Sequence, residues 1–211
     1  MEALLPAAYF APVQYFTKLL MYDSIHIEQW EHFPKQTYRN RCNILTSNGI
    51  QTLTVPVERG SIHKVLMRDL KIAYHTPWQK VHRRSIEAAY RNSPFFEYYY
   101  DEIVPFFEQR FSFLIDFNMQ ITLKMNELLG IKNHLILTKE YQKNPCMDDL
   151  RYAIHPKTKY NTIDKYFSAR PYCQVFVHES GFVANLSMLD MLFCCGPDSK
   201  ELLSACINKQ V

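Results

Sequence analysis

The hydrophobic and polar positions at the start of the chain switch between strand-like and helix-like spacing. Leu4–Phe10 is a short apolar run that predicts a buried strand, and Val13–Tyr22 has apolar residues at helical spacing. Ser24–Glu28 then alternates between apolar and polar residues, as in a strand with one buried face. This succession predicts a βαβ unit and a partly parallel sheet. Ligands of such sheets collect beyond the carboxyl ends of the strands, which here are Tyr9-Phe10 and Glu28–Trp30.

The next alternating pattern predicts a β-hairpin. Two segments, Arg41–Thr46 and Ile50–Val57, flank Ser47-Asn48-Gly49, and Asn-Gly is a strong signal for a tight hairpin turn. Pro56 indicates a strand end or an edge strand, because proline cannot donate a hydrogen bond to a central ladder.

Three cations, Lys35, Arg39 and Arg41, come directly before or at the start of this hairpin. If Lys35–Arg41 is extended, the three odd-numbered side chains point to the same side. Such a face would bind a phosphate or a carboxylate. The alternative is a solvated edge strand, whose cations prevent pairing with the edge of another sheet.

The remaining segments alternate between helical and strand-like patterns. We predict an irregular strand over Ser61–Tyr74 and then three helices, over Trp78–Tyr90, from Pro94 to Pro105, and, as a long amphipathic helix, over Phe106–Leu129. A strand over His134–Thr138, a short helix over Asp148–Ile154 and a loop and candidate lid over His155–Thr162 follow. The chain is then predicted to end with a strand over Pro171–Val177, a helix over Met188–Cys195 capped by Ser187, and a last helix opened by Asp198 and Glu201.

These elements predict an α/β fold. We expect a mixed sheet that opens with a βαβ-like unit and a β-hairpin, followed by a helical region and a C-terminal strand-helix-helix segment. We expect one domain over residues 1–211, in which 1–75 is mainly β with one helix, 76–130 is helical and 131–211 is mixed.

Composition narrows the class of protein. A hydrophobic fraction of 47% supports a large core, and a net charge of +3 is small for a dedicated nucleic-acid binder. The six cysteines show no CxxC spacing, which favours reduced thiols over a structural zinc site, and we expect no metal. No apolar run reaches the roughly 18 residues of a membrane span. The N-terminus lacks the basic start of a signal peptide, so we expect a soluble, cytoplasmic protein.

The catalytic motifs that can be recognised from local sequence are missing. With five glycines, the chain has neither GxGxxG nor a Walker A loop, and GxSxG and HExxH are absent as well. His82 lies on one stripe of its helix with Trp78, so it is either a core histidine or a general base. Glu28 ends a predicted strand, where it is either a base or a simple surface terminus. The candidate ionisable groups are Glu28, His75, His82, His178 and Asp190.

Several short motifs, taken in their order along the chain, resemble the WbqC-like proteins. The resemblance covers most of the chain and is poorest in Lys139–Ala169. The chain departs from many relatives at Ala7-Ala8, where they have Gln-Pro, and at Glu28-Gln29, where they often have an acidic pair. The motifs are Ala8–Phe16, His26–Glu28, Tyr38–Ile44, Leu53–Val57, Trp78 with His82, Tyr90 with Ser93–Phe96, Gln174–Phe176 and Asn185–Phe193.

The resemblance places the chain among bacterial proteins named for a member of an O-antigen gene cluster. Together with the basic segments, it implies a transferase that moves an acyl or aminoacyl group to a sugar or an amine. The donor would contain phosphate, as in an acyl-CoA or a nucleotide-activated compound. His82 would be the general base and Glu28 would orient it. The residues expected to hold the donor and the substrate are Lys35, Arg39, Arg41, Arg83, Asn40, Tyr9 and Trp78.

Two other functions use the same residues. In the first, the protein is a non-catalytic module that binds a nucleotide or another phosphate ligand. A nucleotidyltransferase is disfavoured, because Tyr9-Phe10-Ala11-Pro12 lacks the histidine motif of that group. The second is RNA binding through the aromatic and basic segments, which the modest net charge disfavours.

Overall fold

Four parallel strands form the central sheet of the computed structural model, which describes residues 1–58, 65–157 and 164–208. The strands, in chain order, are β1 (Glu2–Pro6), β2 (Ser24–Glu28), β3 (Arg41–Thr46), β4 (Gly49–Thr54), β5 (His134–Leu137) and β6 (Asp148–Asp149). The sheet has the order β5-β2-β1-β6, and β3 and β4 form a separate antiparallel pair.

The helices pack on one another and on the hairpin. They are α1 (Val13–Met21), α2 (Trp78–Tyr90), α3 (Phe96–Ile103), α4 (Pro105–Glu108), α5 (Leu114–Leu128), α6 (Val177–Ser180), α7 (Met188–Cys195) and α8 (Ser199–Ala205), with short 3₁₀ turns at Met67–Asp69 and Gly196–Asp198. Helix α1 packs against α7 and α8, and α2 packs against α4, α7 and the hairpin. No helix in the described part of the chain is long and apolar enough to cross a membrane.

The predicted βαβ unit and the α/β class are confirmed. Strands β1 and β2 pair in parallel, with Leu4 opposite His26, and α1 connects them. The first strand lies earlier than predicted, at Glu2–Pro6, because the chain turns after it. Phe10 has a φ of 36°, and the Tyr9 backbone N–H donates to the Tyr38 carbonyl at 2.8 Å. Tyr9 and Phe10 therefore follow the carboxyl end of β1 as a loop.

The strand order reverses between β1 and β6. From β1 the chain moves outward to β2 and then to β5, and it returns to the other side of β1 with β6. Such a reversal leaves a crevice beyond the carboxyl ends of the two strands on either side of it, here β1 and β6, where ligands of open parallel sheets bind. The segments that follow β1 and β6 therefore face the same crevice.

The hairpin forms as predicted, but the basic segment before it does not extend the first strand. Gly49 has a φ of 93° at the turn, and Arg41 pairs with Thr54 at the open end. Residues 35–40 are turns and bends instead, with Gln36 in the left-handed region at a φ of 62°. The expectation that Lys35, Arg39 and Arg41 share one face of a strand is thus wrong. Lys35 is exposed, whereas Arg39 is buried.

The predicted long helix over Phe106–Leu129 is two helices. Helix α4 ends at Glu108, and α5 begins at Leu114. The Leu114 backbone N–H donates to the Leu70 carbonyl at 2.9 Å, and the Ile72 N–H donates to the Ser112 carbonyl at 3.1 Å. These bonds hold the residues before α5 out of the helix. In the segment predicted as the strand Ser61–Tyr74, the described residues contain the 3₁₀ turn Met67–Asp69 and isolated bridges, and residues 59–64 lie outside the described part.

Two further elements differ from their predictions because contacts outside the segment determine their conformation. The helix predicted over Asp148–Ile154 begins as β6, because the Leu150 backbone N–H donates to Leu4 of β1 at 2.9 Å. The strand predicted over Pro171–Val177 is irregular and leads into α6. There the Gln174 side chain, in place of a neighbouring strand, accepts from the Val183 backbone N–H at 2.8 Å. Residues 158–163 of the candidate lid are outside the described part.

Helix α7 is buried along nearly its whole length. Ser187 caps it as predicted, accepting from the Leu189 backbone N–H, and Gly196 ends it with a φ of 53°. A Cβ on Gly196 would lie 2.5 Å from the Phe95 ring. The close approach of the α7 terminus to Phe95 therefore requires glycine for two reasons, its conformation and its lack of a side chain.

We expect Gly196→Ala to lower the free energy of unfolding more than Gly130→Ala. Gly130 also has a positive φ, of 61°, but a Cβ there would meet only Lys200 Nζ at 3.7 Å. Both variants carry the left-handed backbone cost of about 1–2 kcal/mol. Only Gly196→Ala adds a clash, which should cost about 1–3 kcal/mol more. Urea unfolding of both variants measures the difference, and equal losses would contradict the close packing on Phe95.

Candidate functional site

A buried ion network lies at the carboxyl ends of the sheet. Glu28, at the end of β2, is fully buried, and its Oε2 lies 3.2 Å from Nη1 of Arg151. Arg151 also binds Asp149 of β6, with Nη2 2.6 Å from Oδ2. Thr138, directly after β5, donates its hydroxyl to Glu28 Oε1 at 2.9 Å. The network therefore joins the ends of three of the four parallel strands.

A second ion pair extends this network toward the basic segment. Arg39 binds Glu31 through two nitrogens, Nε at 2.5 Å and Nη2 at 2.8 Å, and both side chains are buried. Arg39 Nη2 also donates to the Arg151 carbonyl at 3.4 Å. A bidentate pair of this kind is geometrically specific and leaves little of the arginine charge for a ligand.

Two cavities adjoin each other beside this network and share Lys35 and Gln36 in their walls. The larger cavity has a volume of about 680 Å³ and the smaller one about 370 Å³. The larger one is lined by Phe33, Lys35, Gln36, Asn40, Arg41, Thr54, Val55, Pro56, Val57, Glu58, Ala73 and His75. The smaller one is lined by Pro34, Lys35, Gln36, Thr37, Arg39, Tyr152, His155 and Lys157.

Among the cations of the cavity walls, Arg39 is paired with Glu31, whereas three others have no carboxylate partner in the described part of the chain. Within residues 1–58, 65–157 and 164–208, no carboxylate lies within ion-pair distance of Lys35, Arg41 or Lys157. Lys157 Nζ donates instead to the amide oxygen of Gln36. The Nε of Arg41 is shielded from solvent and has no hydrogen-bond partner in the described structure. An unsatisfied buried donor costs about 1–3 kcal/mol.

His155 reports the positive potential of the smaller cavity. Burial lowers the pKa of His155, and the charges of Arg39 and Lys157 lower it further. Its Nδ1 accepts the Lys157 backbone N–H at 2.9 Å, so the hydrogen of the neutral ring is on Nε2. The ring is therefore neutral at pH 7.

His82, the base expected from the sequence, lies inside an aromatic cluster. Only 4% of it is exposed, and its ring contacts those of Tyr9, Trp78 and Phe107. The Tyr9 hydroxyl and His82 Nδ1 are 2.9 Å apart. Burial lowers the pKa of His82 to about 4, against a weaker opposing effect of a hydrogen bond with the Thr54 backbone. The geometry is that of a neutral core histidine held by two polar partners.

The structure divides the residues expected to form one site among five places. Lys35, Asn40 and Arg41 line the larger cavity, and Arg39 lines the smaller one. Tyr9, Trp78 and His82 form the aromatic cluster, and Glu28 belongs to the buried ion network. The half-exposed Arg83 side chain lies at the surface, where its Nη1 is 3.2 Å from Glu108 Oε1. In the described structure His82 and Glu28 share no hydrogen-bond partner.

Four residues of this region were not anticipated from the sequence: Arg151, Tyr152, His155 and Lys157. All four belong to the segment that has the least periodic pattern. The pair Asp149 and Arg151, two residues apart, is the one local signal of an ion pair there. Nothing in the sequence near Tyr152 or Lys157 indicates that they meet the basic segment before the hairpin.

Two comparisons with known proteins match this region of the chain. The family model described as "WbqC-like protein family" matches residues 7–175, which include both cavities and most of the sheet. The uncharacterized protein Rv1507c of Mycobacterium tuberculosis is 25% identical over 224 aligned residues, which cover 94% of this chain and 92% of that protein. No solved structure gives a significant match.

We expect the stability of the protein to fall between pH 6.5 and about 4 because of His82. The unfolded chain takes up a proton at a pKa near 6.5, whereas the folded protein resists protonation down to about 4. The stabilisation is therefore complete above pH 6.5 and is lost as the pH falls, by about 3 kcal/mol in total. Urea unfolding at several pH values should show a smaller decrease for His82→Gln.

The matched control for this measurement is His178→Gln, because His178 is exposed on α6. This variant should keep the pH dependence of the wild type. If His82→Gln also keeps it, the ring of His82 is not held in the neutral form by the fold.

Proposed function

Because the chain belongs to the WbqC-like protein family, we propose that it is a transferase that binds a phosphate-containing activated donor in the two adjoining cavities. It moves an acyl or aminoacyl group to a sugar or an amine in surface-polysaccharide or related biosynthesis. One observation carries the proposal: Lys35, Arg41 and Lys157 line these cavities, and no carboxylate of the described residues pairs with them. Uncompensated cations in a concave site favour an anionic ligand.

The phosphate is held by side chains. The chain has no glycine-rich phosphate loop, so backbone amides do not supply a cradle. Lys35 lies in the wall that the two cavities share, where its charge acts on both. Arg41 lines the larger cavity, where its charge acts on the part of the donor that extends past Lys35.

Two adjoining cavities suit a reaction of two substrates. The donor occupies one and extends past Lys35, and the acceptor enters the other. Holding both reactants in contact turns a bimolecular reaction into an effectively unimolecular one, which is a large part of the rate enhancement of transferases. The mixed lining of the larger cavity, with Phe33, Val55 and Val57 beside Asn40 and Glu58, fits an acceptor with polar and apolar parts.

The transfer itself needs a base near the acceptor. The acceptor oxygen or nitrogen forms a bond to the acyl carbon, the bond from that carbon to the donor breaks, and the donor leaves with the electron pair. The acceptor proton passes to His75, which is exposed and lines the larger cavity. His82 and Glu28 are too deeply buried to reach a substrate, so we give them structural roles, since a general base must come within hydrogen-bond reach.

A second candidate is a phosphate-ligand-binding module without a reaction. The burial of both His82 and Glu28, the catalytic pair expected from the sequence, favours it. The two functions differ in whether a bound donor is consumed in the presence of an acceptor.

We expect Arg41→Ala to weaken donor binding by about 10- to 150-fold, the loss of one charge-assisted hydrogen bond. A ligand at about 100 times its dissociation constant stabilises by about 2.7 kcal/mol, a rise in melting temperature of roughly 5–11 °C. Thermal shifts of wild type and variant with acyl-CoAs, nucleotide sugars, nucleotides and pyrophosphate measure this. The unliganded variant should melt at or above the wild-type temperature, because a buried unsatisfied donor is removed.

Arg84→Ala is the control for that screen. Arg84 is an exposed cation of α2 and lines neither cavity. It should respond to every ligand as the wild type does. A wild type that shifts with none of these compounds would refute the phosphate site.

We expect His75→Gln to lower the turnover rate by about 100-fold or more, while the donor still binds with wild-type affinity. General-base catalysis contributes roughly 10²–10⁴-fold to a rate, and the substitution removes only the proton acceptor. The measurement is product formation from the donor found in the thermal screen, with titration calorimetry for binding. Unchanged turnover would exclude His75, and no turnover by the wild type would favour the binding module.

A further inference from the structure

The smaller cavity lies where the strand order reverses. One wall comes from Arg39 and its neighbours after β2, and the other from Tyr152 after β6. Strand β6 pairs with β1 on the side opposite β2, so the cavity opens next to the topological switch point. Open parallel sheets bind nucleotides and similar ligands at this position.

A planar aromatic surface faces the cavity. Tyr152 is 53% exposed although it lines a concave site. Close by, the ring of Tyr141 covers the Arg151 guanidinium at 5.0 Å, and that guanidinium is fixed by Asp149 and Glu28. Tyr152 follows this fixed arginine directly in the chain, and its half-exposed ring at the cavity wall is accessible for stacking on a nucleobase.

The charge of the cavity suits a single phosphate group. Lys35 and Lys157 are the cations of the lining without a described carboxylate partner, whereas Arg39 is neutralised by Glu31. The ring of His155 is neutral at pH 7 because burial and the nearby cations lower its pKa. Two positive charges suit the single phosphate of a nucleoside monophosphate, which is a monoanion in the donor and a dianion once the transferred group has left. The lining contains no glycine to cradle a diphosphate with backbone amides.

From the ring, the two lysines and the volume of about 370 Å³, we propose that the smaller cavity binds a nucleoside monophosphate moiety, with its base on Tyr152 and its phosphate at Lys35 and Lys157. This rests on the proposed function and names the class of its donor, a nucleotide-activated compound with one phosphate next to the transferred group. The transferred group then passes Lys35 into the larger cavity.

Titration calorimetry of six probes tests the assignment: AMP, GMP, CMP, UMP, ribose 5-phosphate and inorganic phosphate. The wild type should bind at least one nucleotide about 5- to 150-fold more tightly than ribose 5-phosphate, the contribution of one stacked base. Tyr152→Leu should remove that advantage, while Tyr152→Phe, which keeps the ring, should retain it. Both variants should bind inorganic phosphate as the wild type does.

The possible results separate this inference from the proposed function. If phosphate and ribose 5-phosphate bind but no nucleotide binds more tightly, the base platform is refuted and the phosphate site stands. If the nucleotide advantage survives in Tyr152→Leu, the base binds elsewhere and the inference is also refuted. If the wild type binds none of the six probes but shifts with an acyl-CoA, the nucleotide assignment alone fails. If acyl-CoAs and all other phosphate compounds fail as well, both fail.

Discussion

Arg151 binds Glu28 and Asp149 beneath the carboxyl ends of β2 and β6, and its carbonyl accepts a hydrogen bond from Arg39. Removing one partner of a buried pair leaves an uncompensated charge, which costs about 3–5 kcal/mol, whereas replacing a whole pair with apolar residues often costs nothing. The network therefore adds more to positional definition than to net stability. It fixes β6 at the edge of the sheet. This strand has only two residues and pairs with β1 at only two positions.

This network also determines the electrostatics of the cavities. Arg39 and Arg151 are held by Glu28, Glu31 and Asp149, so the arginines nearest the sheet already have carboxylate partners. The cations without a carboxylate partner in the described part of the chain are Lys35, Arg41 and Lys157, which lie in a turn, at the start of β3 and after β6. A ligand phosphate can therefore pair with the unpartnered cations of the walls without breaking an ion pair of the buried network.

Local signals predicted the βαβ unit, the hairpin, α2 and α7 to within a few residues. Each has its determinant nearby in the sequence, such as Asn48-Gly49 at the hairpin turn or Ser187 at the start of α7. The segments that were predicted wrongly have distant partners. Residues before α5 leave the helical pattern because the segment around Leu70 binds them, and Asp148-Asp149 pair with β1 at the start of the chain. Helical periodicity continues through Phe106–Leu129, so no local pattern shows the break.

By itself, the sequence determined the elements with short-range signals, the α/β class, the absence of a glycine-rich phosphate loop and the resemblance to a family that comparison then confirmed. Only the tertiary structure decided which ionisable groups are accessible. It buried His82 and Glu28, left His75 at a cavity wall, and brought Lys157 and Tyr152 to Lys35. The physical reason is that burial and charge pairing depend on neighbours in space. Glu28 and Arg151 are 123 residues apart in the chain, and no pattern within either segment encodes their contact.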